Sequence, residues 1–303
     1  MVLFPKSALL VPALVLAACQ GGPVVHGSGQ IASEQRALGD FHAIDAGSIG
    51  EIYVIQDGGT GLTIEADDNL LPFIRSVVAG DVLHLDLEPG NYHPSQTPRL
   101  ELRCGELTRI DLSGAVHMNA AELVGDQMSI HTEGASHLEL GSLQARALDV
   151  EAEGAAQVRA EAIRAGSLTA DTSGAGRVIA NGGSLGHLRA DCSGAAQVNM
   201  TAVQVQDAHV FLSGASQAWL WVEGALQADA SGAAHVRYKG SPRLDVHSSG
   251  AASVVDLVVS ASDSWGRLSA TTRTSHACGR AAHAPRIVGL IEPGSVCNVI
   301  PLS

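Results

Sequence analysis

Residues 110–118 read IDLSGAVHM, and the same pattern returns as IHTEGASHL at 130–138, VEAEGAAQV at 150–158 and ADTSGAGRV at 170–178. Its Gly-Ala pair recurs along the chain, first every 20 residues and finally every 18. The repeated glycines are Gly114, Gly134, Gly154, Gly174, Gly194, Gly214, Gly232 and Gly250. A fixed period of this length is typical of a solenoid, in which each repeat stacks on its neighbours.

Apolar and polar residues alternate within each repeat. Around the first glycine, Ile110, Leu112 and Met118 are apolar and Asp111 is polar, and the later repeats keep these columns. A period of two is the signature of a β-strand with one buried side. A helix would scatter the columns and would not tolerate the recurrent glycine. The sequence therefore predicts an all-β fold, a parallel β-solenoid with coils of about 20 residues.

The Gly-Ala pair is predicted to form the corner of each coil. Glycine suits a sharp bend that needs a positive φ angle, and we expect the alanine after it to point into a narrow interior. Successive coils stack at about 4.8 Å, so eight of them give a rod of about 35–40 Å.

Composition and charge exclude several classes of protein. The chain has 303 residues and is 46% hydrophobic, but only 3% of its residues are aromatic and 34 are glycine. The formal net charge of −13 argues against a nucleic-acid partner, which needs a basic patch to neutralise phosphates. It also argues against adhesion to anionic lipid through charge.

The N-terminus has the features of an export signal. Lys6 precedes an apolar run that ends at Ala18, too short to span a bilayer, which takes about 20 residues. The junction LAAC at 16–19 resembles the bacterial lipobox, in which the cysteine is acylated and becomes N-terminal. The alternatives are an ordinary signal peptide cleaved nearby or a chance cysteine. We expect a lipoprotein signal peptide over 1–18 and lipidation at Cys19.

Export sets the expected location of the mature chain. In the lipobox resemblance, Gln20 after the cysteine implies an outer-membrane lipoprotein, held on the membrane through its lipid anchor. The Gly- and Ser-rich segment 19–36 is predicted to be a flexible tether.

The segments that flank the repeat are expected to cover its ends. On the N-terminal side, Ile52–Ile55, Leu62–Glu65 and Val82–Leu87 have the pattern of strands. Asp67 and Asp68 are expected to cap a short helix over Leu70–Ile74.

The period fails after Ser260. We therefore predict a solenoid domain over 37–260 and a C-terminal cover or tail over 261–303.

The cysteines of an exported chain can form disulfides. Cys192 lies at an inward position about 19 Å along the rod from Cys104, beyond the limit of about 7 Å for a disulfide, so we expect a buried free thiol. Cys278 and Cys297 are the predicted pair. Metal ligation by these two cysteines with nearby histidines is an alternative, but the spacings match no common site.

Three features together resemble one family of bacterial envelope proteins. They are the head FHAID at 41–45, the stretch LTIEADDNLL at 62–71 and the iterated Ser-Gly-Ala corners. The family is the "putative auto-transporter adhesin, head GIN domain", and the resemblance covers about residues 37–260. It implies a right-handed β-helix-like domain, frequently carried on lipoproteins, with no established catalytic residues. We predict no cofactor.

Two outward columns invite a chemical interpretation. Stacked carboxylates are what a glycosidase pair or a Ca²⁺-assisted lyase needs, but the column is uniform along the rod and equally suits a solvated face. Its members are Asp111, Glu151, Asp171, Asp191 and Asp229, with Glu133 and Glu153 nearby. His117 and His137 share the second column and could hold Zn²⁺ or Cu²⁺. No short ligand motif supports that, so no metal site is predicted.

Three aromatic residues belong to one coil. By parity, Trp219 and Trp221 point outward, and Phe211 interrupts the carboxylate column. We expect these three to form a patch that stacks on sugars or anchors a protein partner. The alternative is that the C-terminal tail packs over them.

Two classes of function follow. The favoured one is a non-catalytic cell-envelope lipoprotein whose solenoid presents a surface for adhesion or for a glycan or protein partner. The alternative is a polysaccharide-active enzyme, a lyase or glycosidase of the β-helix type.

Overall fold

The structure, a computed structural model, describes residues 24–257. These residues form 21 strands and one short 3-10 helix. One sheet contains 19 of the strands, and the other two pair with each other. The predicted parallel β-solenoid is confirmed, since strands of successive coils pair in parallel and in register.

The first nine strands build the head of the domain. They are β1 (Val24–His26), β2 (Ile31–Arg36), β3 (Ala43–Gly47), β4 (Glu51–Gln56), β5 (Gly61–Asp67), β6 (Ile74–Ala79), β7 (Val82–Leu87), β8 (Asn91–His93) and β9 (Arg99–Cys104). The 3-10 helix, Leu71–Phe73, lies between β5 and β6.

The other twelve strands build the repeat. They are β10 (Arg109–Ser113), β11 (His117–Val124), β12 (Gln127–Thr132), β13 (His137–Ala152), β14 (Gln157–Thr172), β15 (Arg177–Ala180), β16 (Gly183–Cys192), β17 (Gln197–Leu212), β18 (Gln217–Ala230), β19 (His235–Lys239), β20 (Arg243–Ser248) and β21 (Ser253–Asp256).

Each coil divides into three walls. In β13, residues 137–140, 142–145 and 147–152 pair with successive segments of β14, and the pairing is interrupted between them. The segment before each corner glycine, such as 147–152, belongs to what we call the acidic wall. The segment after the glycine, such as 137–140, belongs to the tryptophan wall, and 142–145 belongs to the third wall.

The head begins the solenoid as well as covering it. β3 and β4 form a first coil, parallel to β10 and β11. The chain then leaves for residues 61–104, and β7 and β9 stack in parallel on the other edge of that coil. β6 and β5 pair antiparallel with β7 and β9, and β2 pairs antiparallel with β5. Antiparallel strands therefore close the N-terminal end, and the three strands predicted there are confirmed.

The corner glycines have the conformation that the repeat predicts. All eight have positive φ angles, between 67° at Gly174 and 76° at Gly114. A Cβ atom on Gly194 would lie 2.8 Å from the carbonyl oxygen of Gly174, closer than real Cβ contacts. Only glycine therefore fits these positions, both for its backbone angles and for its size.

The expected direction of the corner alanines is wrong. Ala115 and its equivalents are exposed, and the next residue, such as Val116 or Ala196, is buried instead. Inward residues of this repeat, such as Leu112 and Met118, have even numbers. By the same alternation Val116 points inward and Ala115 points outward. The corner alanine instead links successive coils through its backbone. The Ala195 N–H donates to the Gly174 carbonyl at 2.7 Å, and the equivalent alanines repeat this bond along the corner.

Small and aliphatic side chains fill the interior. Ile110, Val210 and Ala228 are fully buried on the acidic wall, and only Phe41 and Tyr238 add aromatic rings to the buried core of the described residues. Cys192 is buried in an inward column and is free, as predicted. Burial raises the pKa of its thiol to about 11.

The predicted helix cap is wrong. The 3-10 helix has no side-chain cap, because the Asp67 carboxylate is used elsewhere. It accepts hydrogen bonds from the Gly29 N–H at 2.8 Å and from the Ser95 N–H at 2.9 Å and hydroxyl at 2.6 Å. The Ser95 hydroxyl holds the pKa of Asp67 below its usual range. Asp68 instead accepts from the Ser28 hydroxyl at 2.5 Å.

The flexible tether predicted over 19–36 is wrong for residues 24–36. This part contains β1 and β2, and β2 pairs with β5 along its whole length. Arg36 fixes the end of β2, since its guanidinium donates to the Ile74 carbonyl at 2.6 Å and the Leu71 carbonyl at 3.0 Å. The ordered domain therefore starts before residue 37.

The C-terminal end of the described sheet differs from the N-terminal end. β20 and β21 are the last strands that the structure describes. At inward positions of β20, Leu244 is 49% exposed and Val246 is 39% exposed. The cover or tail predicted over 261–303 lies outside the described residues.

Candidate functional site

The acidic wall carries one outward column of mostly acidic side chains in register from coil to coil. The predicted carboxylates stand together in it, with Glu133 and Glu153 exposed beside the corner glycines. In order along the solenoid, the column is Asp45, Asp111, His131, Glu151, Asp171, Asp191, Phe211, Asp229 and His247.

Many of these carboxylates have a cation beside them. Arg109 pairs with Asp111 at 2.9 Å, and Arg189 pairs with Asp191 at 2.8 Å. Imidazoles lie beside two others, since the His131 Nδ1 is 2.7 Å from Glu151 Oε2 and the His209 Nε2 is 3.3 Å from Asp229 Oδ2. Side chains of the same wall therefore contact most carboxylates of the column.

Asp171 stands in the most acidic part of the column. Burial raises its pKa above the ordinary value of 3.8, and the charges of Asp191 and Asp149 raise that pKa further. A hydrogen bond with the Asp191 side chain acts in the same direction. The ionised form of Asp171 is therefore slightly destabilised in the folded protein.

A groove of about 700 Å³ follows the acidic wall from Glu151 to His247. Phe211 lines it between Asp191 and Asp229. The Phe211 ring centre lies 4.0 Å from that of His209 and 4.6 Å from the Arg189 Cζ. The ring is therefore already in contact with side chains of its own wall.

The two tryptophans lie on the other side of the corner. Trp219 and Trp221 alternate in β18 with the buried Leu220 and Val222, so both indoles point outward as predicted. Both are half-buried. The Trp221 Nε1 donates to Glu223 Oε1 at 2.6 Å, which fixes the orientation of that ring.

Cations of the next coil lie over both indoles. Register pairs Trp219 with Arg237 and Trp221 with Lys239. The Arg237 Cζ is 6.0 Å from the Trp219 ring centre, and the Lys239 Nζ is 4.3 Å from the Trp221 ring centre. These distances are typical of cation–π contacts. We call Trp219, Trp221, Arg237 and Lys239 the tryptophan cluster.

The predicted three-residue aromatic patch is thus divided by the fold. Phe211 belongs to the acidic wall, whereas Trp219 and Trp221 belong to the tryptophan wall, with the corner at Gly214 between them. The alternation in the sequence identifies which residues point outward. It does not show that the turn at Gly214 puts Phe211 and the tryptophans on different walls. Arg237 and Lys239 were missed, although each follows its tryptophan by the 18-residue period of the last coils.

The histidine column is a stack of rings. The ring centres of His117 and His137 are 4.8 Å apart, with an 18° angle between planes. The His137 Nδ1 lies 3.1 Å from the Ala135 carbonyl oxygen. Within residues 24–257, no group of three or more side chains is arranged to hold a metal ion.

Three predicted residues lie outside the described part of the chain. They are Cys19, the expected lipidation site, and Cys278 and Cys297, the expected disulfide. Among residues 24–257, no helix is long and apolar enough to cross a membrane.

Comparisons with known proteins agree with this architecture. The family model described as "Putative auto-transporter adhesin, head GIN domain" matches residues 40–242. A search of curated proteins finds no match.

Solved structures share the fold at low sequence identity. A "putative adhesin" from Parabacteroides merdae is 20% identical, with a TM-score of 0.74 over 78% of this chain and 100% of its own. A "putative lipid binding protein" from Parabacteroides distasonis is 18% identical, with a TM-score of 0.73 over the same shares, 78% and 100%. A "putative adhesin" from Bacteroides fragilis is 20% identical, with a TM-score of 0.63 over 77% of this chain and 100% of its own.

Proposed function

The chain belongs to the auto-transporter adhesin head GIN domain family, and from that premise we propose that it is a non-catalytic recognition protein of the bacterial cell envelope. A lipid on Cys19 anchors it to the outer membrane, and the solenoid presents the tryptophan wall to a glycan. The observation that carries the proposal is the pair of outward indoles in β18, two residues apart on one strand.

Indoles at such positions suit sugars. Aromatic rings are large and rigid, and they contribute much binding energy at little entropic cost. Trp219 and Trp221 are two residues apart on one strand, so their side chains emerge about 7 Å from each other. Amide side chains surround them, with Asn199 and Gln217 on the same wall, and amides can exchange hydrogen bonds with sugar hydroxyls.

The location of the pair also fits a protein held at its N-terminus. Nine strand-to-strand steps separate β2 from β18 along the tryptophan wall, through β5, β9, β4, β11, β13, β14, β15 and β17. At about 4.8 Å a step, the indoles are about 40 Å from β2, the second strand after the anchor. The recognition surface would therefore stand away from the membrane.

Binding and stability of matched variants test this proposal. The full chain with Cys19→Ser is screened against a glycan array and purified cell-envelope polysaccharide, with and without Trp219→Ala and Trp221→Ala. We expect the double variant to lose binding by at least about tenfold at an unchanged melting temperature. Tyr53→Ala is the control, since Tyr53 is an aromatic residue of the same wall with Arg99 at 4.2 Å from its ring centre.

Two results would count against recognition by the indoles. One is binding that survives the double variant. The other is a large fall in melting temperature, since the indoles would then be packing residues covered by another part of the chain.

The anchor has its own test. Metabolic labelling with a fatty acid should label the wild-type chain and leave the Cys19→Ser chain unlabelled, because acylation needs the thiol. Label on the Cys19→Ser chain would reject lipidation at this residue.

One observation favours the alternative, a polysaccharide-active enzyme. In the groove of the acidic wall, Asp171 has a raised pKa, while Asp191 is paired with Arg189, and unequal carboxyls of this kind can act as acid and base. Against it, Asp171 and Asp191 belong to a column of carboxylates that recurs from coil to coil, whereas a glycosidase uses one distinct pair. Asp171-dependent release of reducing ends from envelope polysaccharide would favour the enzyme.

A further inference from the structure

The tryptophan cluster differs in charge from the rest of the molecule. The chain has a net charge of −13 and only two lysines, Lys6 and Lys239. From β15 onward, the outward charges of the tryptophan wall are Arg177, Glu223, Arg237 and Lys239, and Asp256 ends the last described strand of this wall. Three of these five charged residues are cations, and the Glu223 carboxylate accepts the Trp221 indole N–H.

The other half of the same wall has a different balance. Around Tyr53, the groove of this wall is lined by Arg99 and Arg159 together with Glu101, Glu139 and Glu161. The Tyr53 hydroxyl also donates to Glu51 at 2.9 Å. On the described part of the tryptophan wall, aromatic and basic side chains therefore occur together without an excess of carboxylates at the C-terminal coils.

The acidic wall adds a second constraint. On that wall the same coils carry four aspartates against two arginines, so an anion is attracted less there than to the tryptophan wall. The aspartates are Asp171, Asp191, Asp229 and Asp245, and the arginines are Arg189 and Arg243.

We propose that the ligand of the tryptophan cluster is an acidic polysaccharide, whose sugar rings stack on Trp219 and Trp221 while its carboxylates pair with Arg237 and Lys239. This inference rests on the proposed function and gives it a ligand class. The indoles of β18 and the cations of β19 form a two-by-two array of about 7 Å by 5 Å, comparable in size with a pyranose ring. Guanidinium and ammonium groups then reach an acidic substituent on the ring that the indoles hold.

The surroundings favour a sugar polymer over a lipid surface. Near the indoles the wall carries the polar side chains Asn199, Thr201, Gln217 and His235, with Val255 of β21 exposed beside Arg237. Binding at a lipid interface requires apolar side chains that enter the acyl region. It also requires charge attraction over a broad surface, and a chain with a net charge of −13 opposes that attraction.

Three hexasaccharides test the ligand class on the full chain with Cys19→Ser: hexagalacturonate, a neutral hexamer of glucose and a cationic hexamer of glucosamine. We expect hexagalacturonate to bind most tightly and to weaken as salt is added. Arg237→Gln with Lys239→Gln should lower that affinity by about fivefold to twentyfold. Arg146→Gln is the control, because Arg146 is an exposed cation paired with Asp126 at 2.7 Å on another part of the coil.

The outcomes separate the two levels of the proposal. Binding of the neutral hexamer as tightly as the acidic one, lost in the tryptophan double variant, would overturn the acidic ligand and leave recognition by the indoles intact. Binding to vesicles of anionic lipid without binding to hexagalacturonate would also overturn it. Failure of all hexamers and of envelope polysaccharide to bind would reject the proposed function itself.

Discussion

The acidic wall and the tryptophan wall are made by the same coils and share one core, yet they present opposite chemistry. On the acidic wall, carboxylates stand in register and contact neighbours such as Arg189 and His209. On the tryptophan wall, Arg237 and Lys239 lie over indole rings. A solenoid can therefore vary each wall independently, because the inward columns alone maintain the stack.

The corner glycine that joins the two walls gives the largest expected effect. Gly194→Ala places a Cβ 2.8 Å from the Gly174 carbonyl oxygen at a φ angle of +75°. We expect a loss of about 3 kcal/mol in the free energy of unfolding, from backbone strain and the clash together. Urea denaturation measures it. The neighbouring Ala195 is exposed, so Ala195→Ser should change stability by less than about 0.5 kcal/mol. Equal losses in the two variants would contradict the account of the corner.

The reactivity of two buried thiols tests whether the core that the walls share is closed to solvent. Cys192 lies in an inward column of the acidic wall and Cys104 at the end of β9, and burial raises the pKa of each to about 11. From the ordinary value of 9.0, this shift lowers the thiolate fraction by about a hundredfold. We expect neither residue to react with iodoacetamide at about pH 8 until urea is added, as read by peptide mapping. Rapid native labelling of one of them would show that the wall above it is open.

The division of the aromatic residues between the walls is tested next. Trp219→Ala should weaken glycan binding by about tenfold, whereas Phe211→Ala should change it by less than about twofold. The reason is that Phe211 stands across the corner and contacts His209 and Arg189. Equal losses would mean that the two walls act as one surface after all.

The smallest expected effect concerns the acids themselves. Burial and neighbouring charges raise the pKa of Asp171, so the folded state binds more protons than the unfolded state just above the ordinary value of 3.8. Stability therefore falls as pH rises through that window. Asp171→Asn should raise the free energy of unfolding by up to about 0.5 kcal/mol at about pH 7. The gain should vanish once Asp171 is protonated in both states.

Asp126 is the control with the opposite sign. Its hydrogen bond with Arg146 lowers the pKa of Asp126, so its ionised form favours the folded state and Asp126→Asn should lower stability at neutral pH. A shift of the same sign in both variants would contradict the electrostatic contrast within the molecule.

The sequence repeat explains why so much of the fold could be predicted from the sequence. The glycine period and the alternation predict the coil, the inward columns and the positive φ angles, because one local rule acts eight times. The outward direction of Ala115 follows from the even-numbered inward columns, so the sequence could have given it. The role of Asp67 and the separation of Phe211 from Trp219 depend instead on how the head and the corner close in space. No local pattern encodes those contacts. The position of Arg237 beside Trp219 could have been predicted from the sequence, because the two residues are separated by the 18-residue period of the last coils.

The most direct test of the central claim uses the indoles as their own reporters. The chain has three tryptophans, Trp219, Trp221 and Trp265, so Trp265→Phe leaves only the pair on the tryptophan wall to emit. Titration of the Cys19→Ser, Trp265→Phe chain with hexagalacturonate should shift their emission with the same midpoint as binding measured by calorimetry. Saturable binding with unchanged emission would place the ligand elsewhere and contradict recognition by the tryptophan wall.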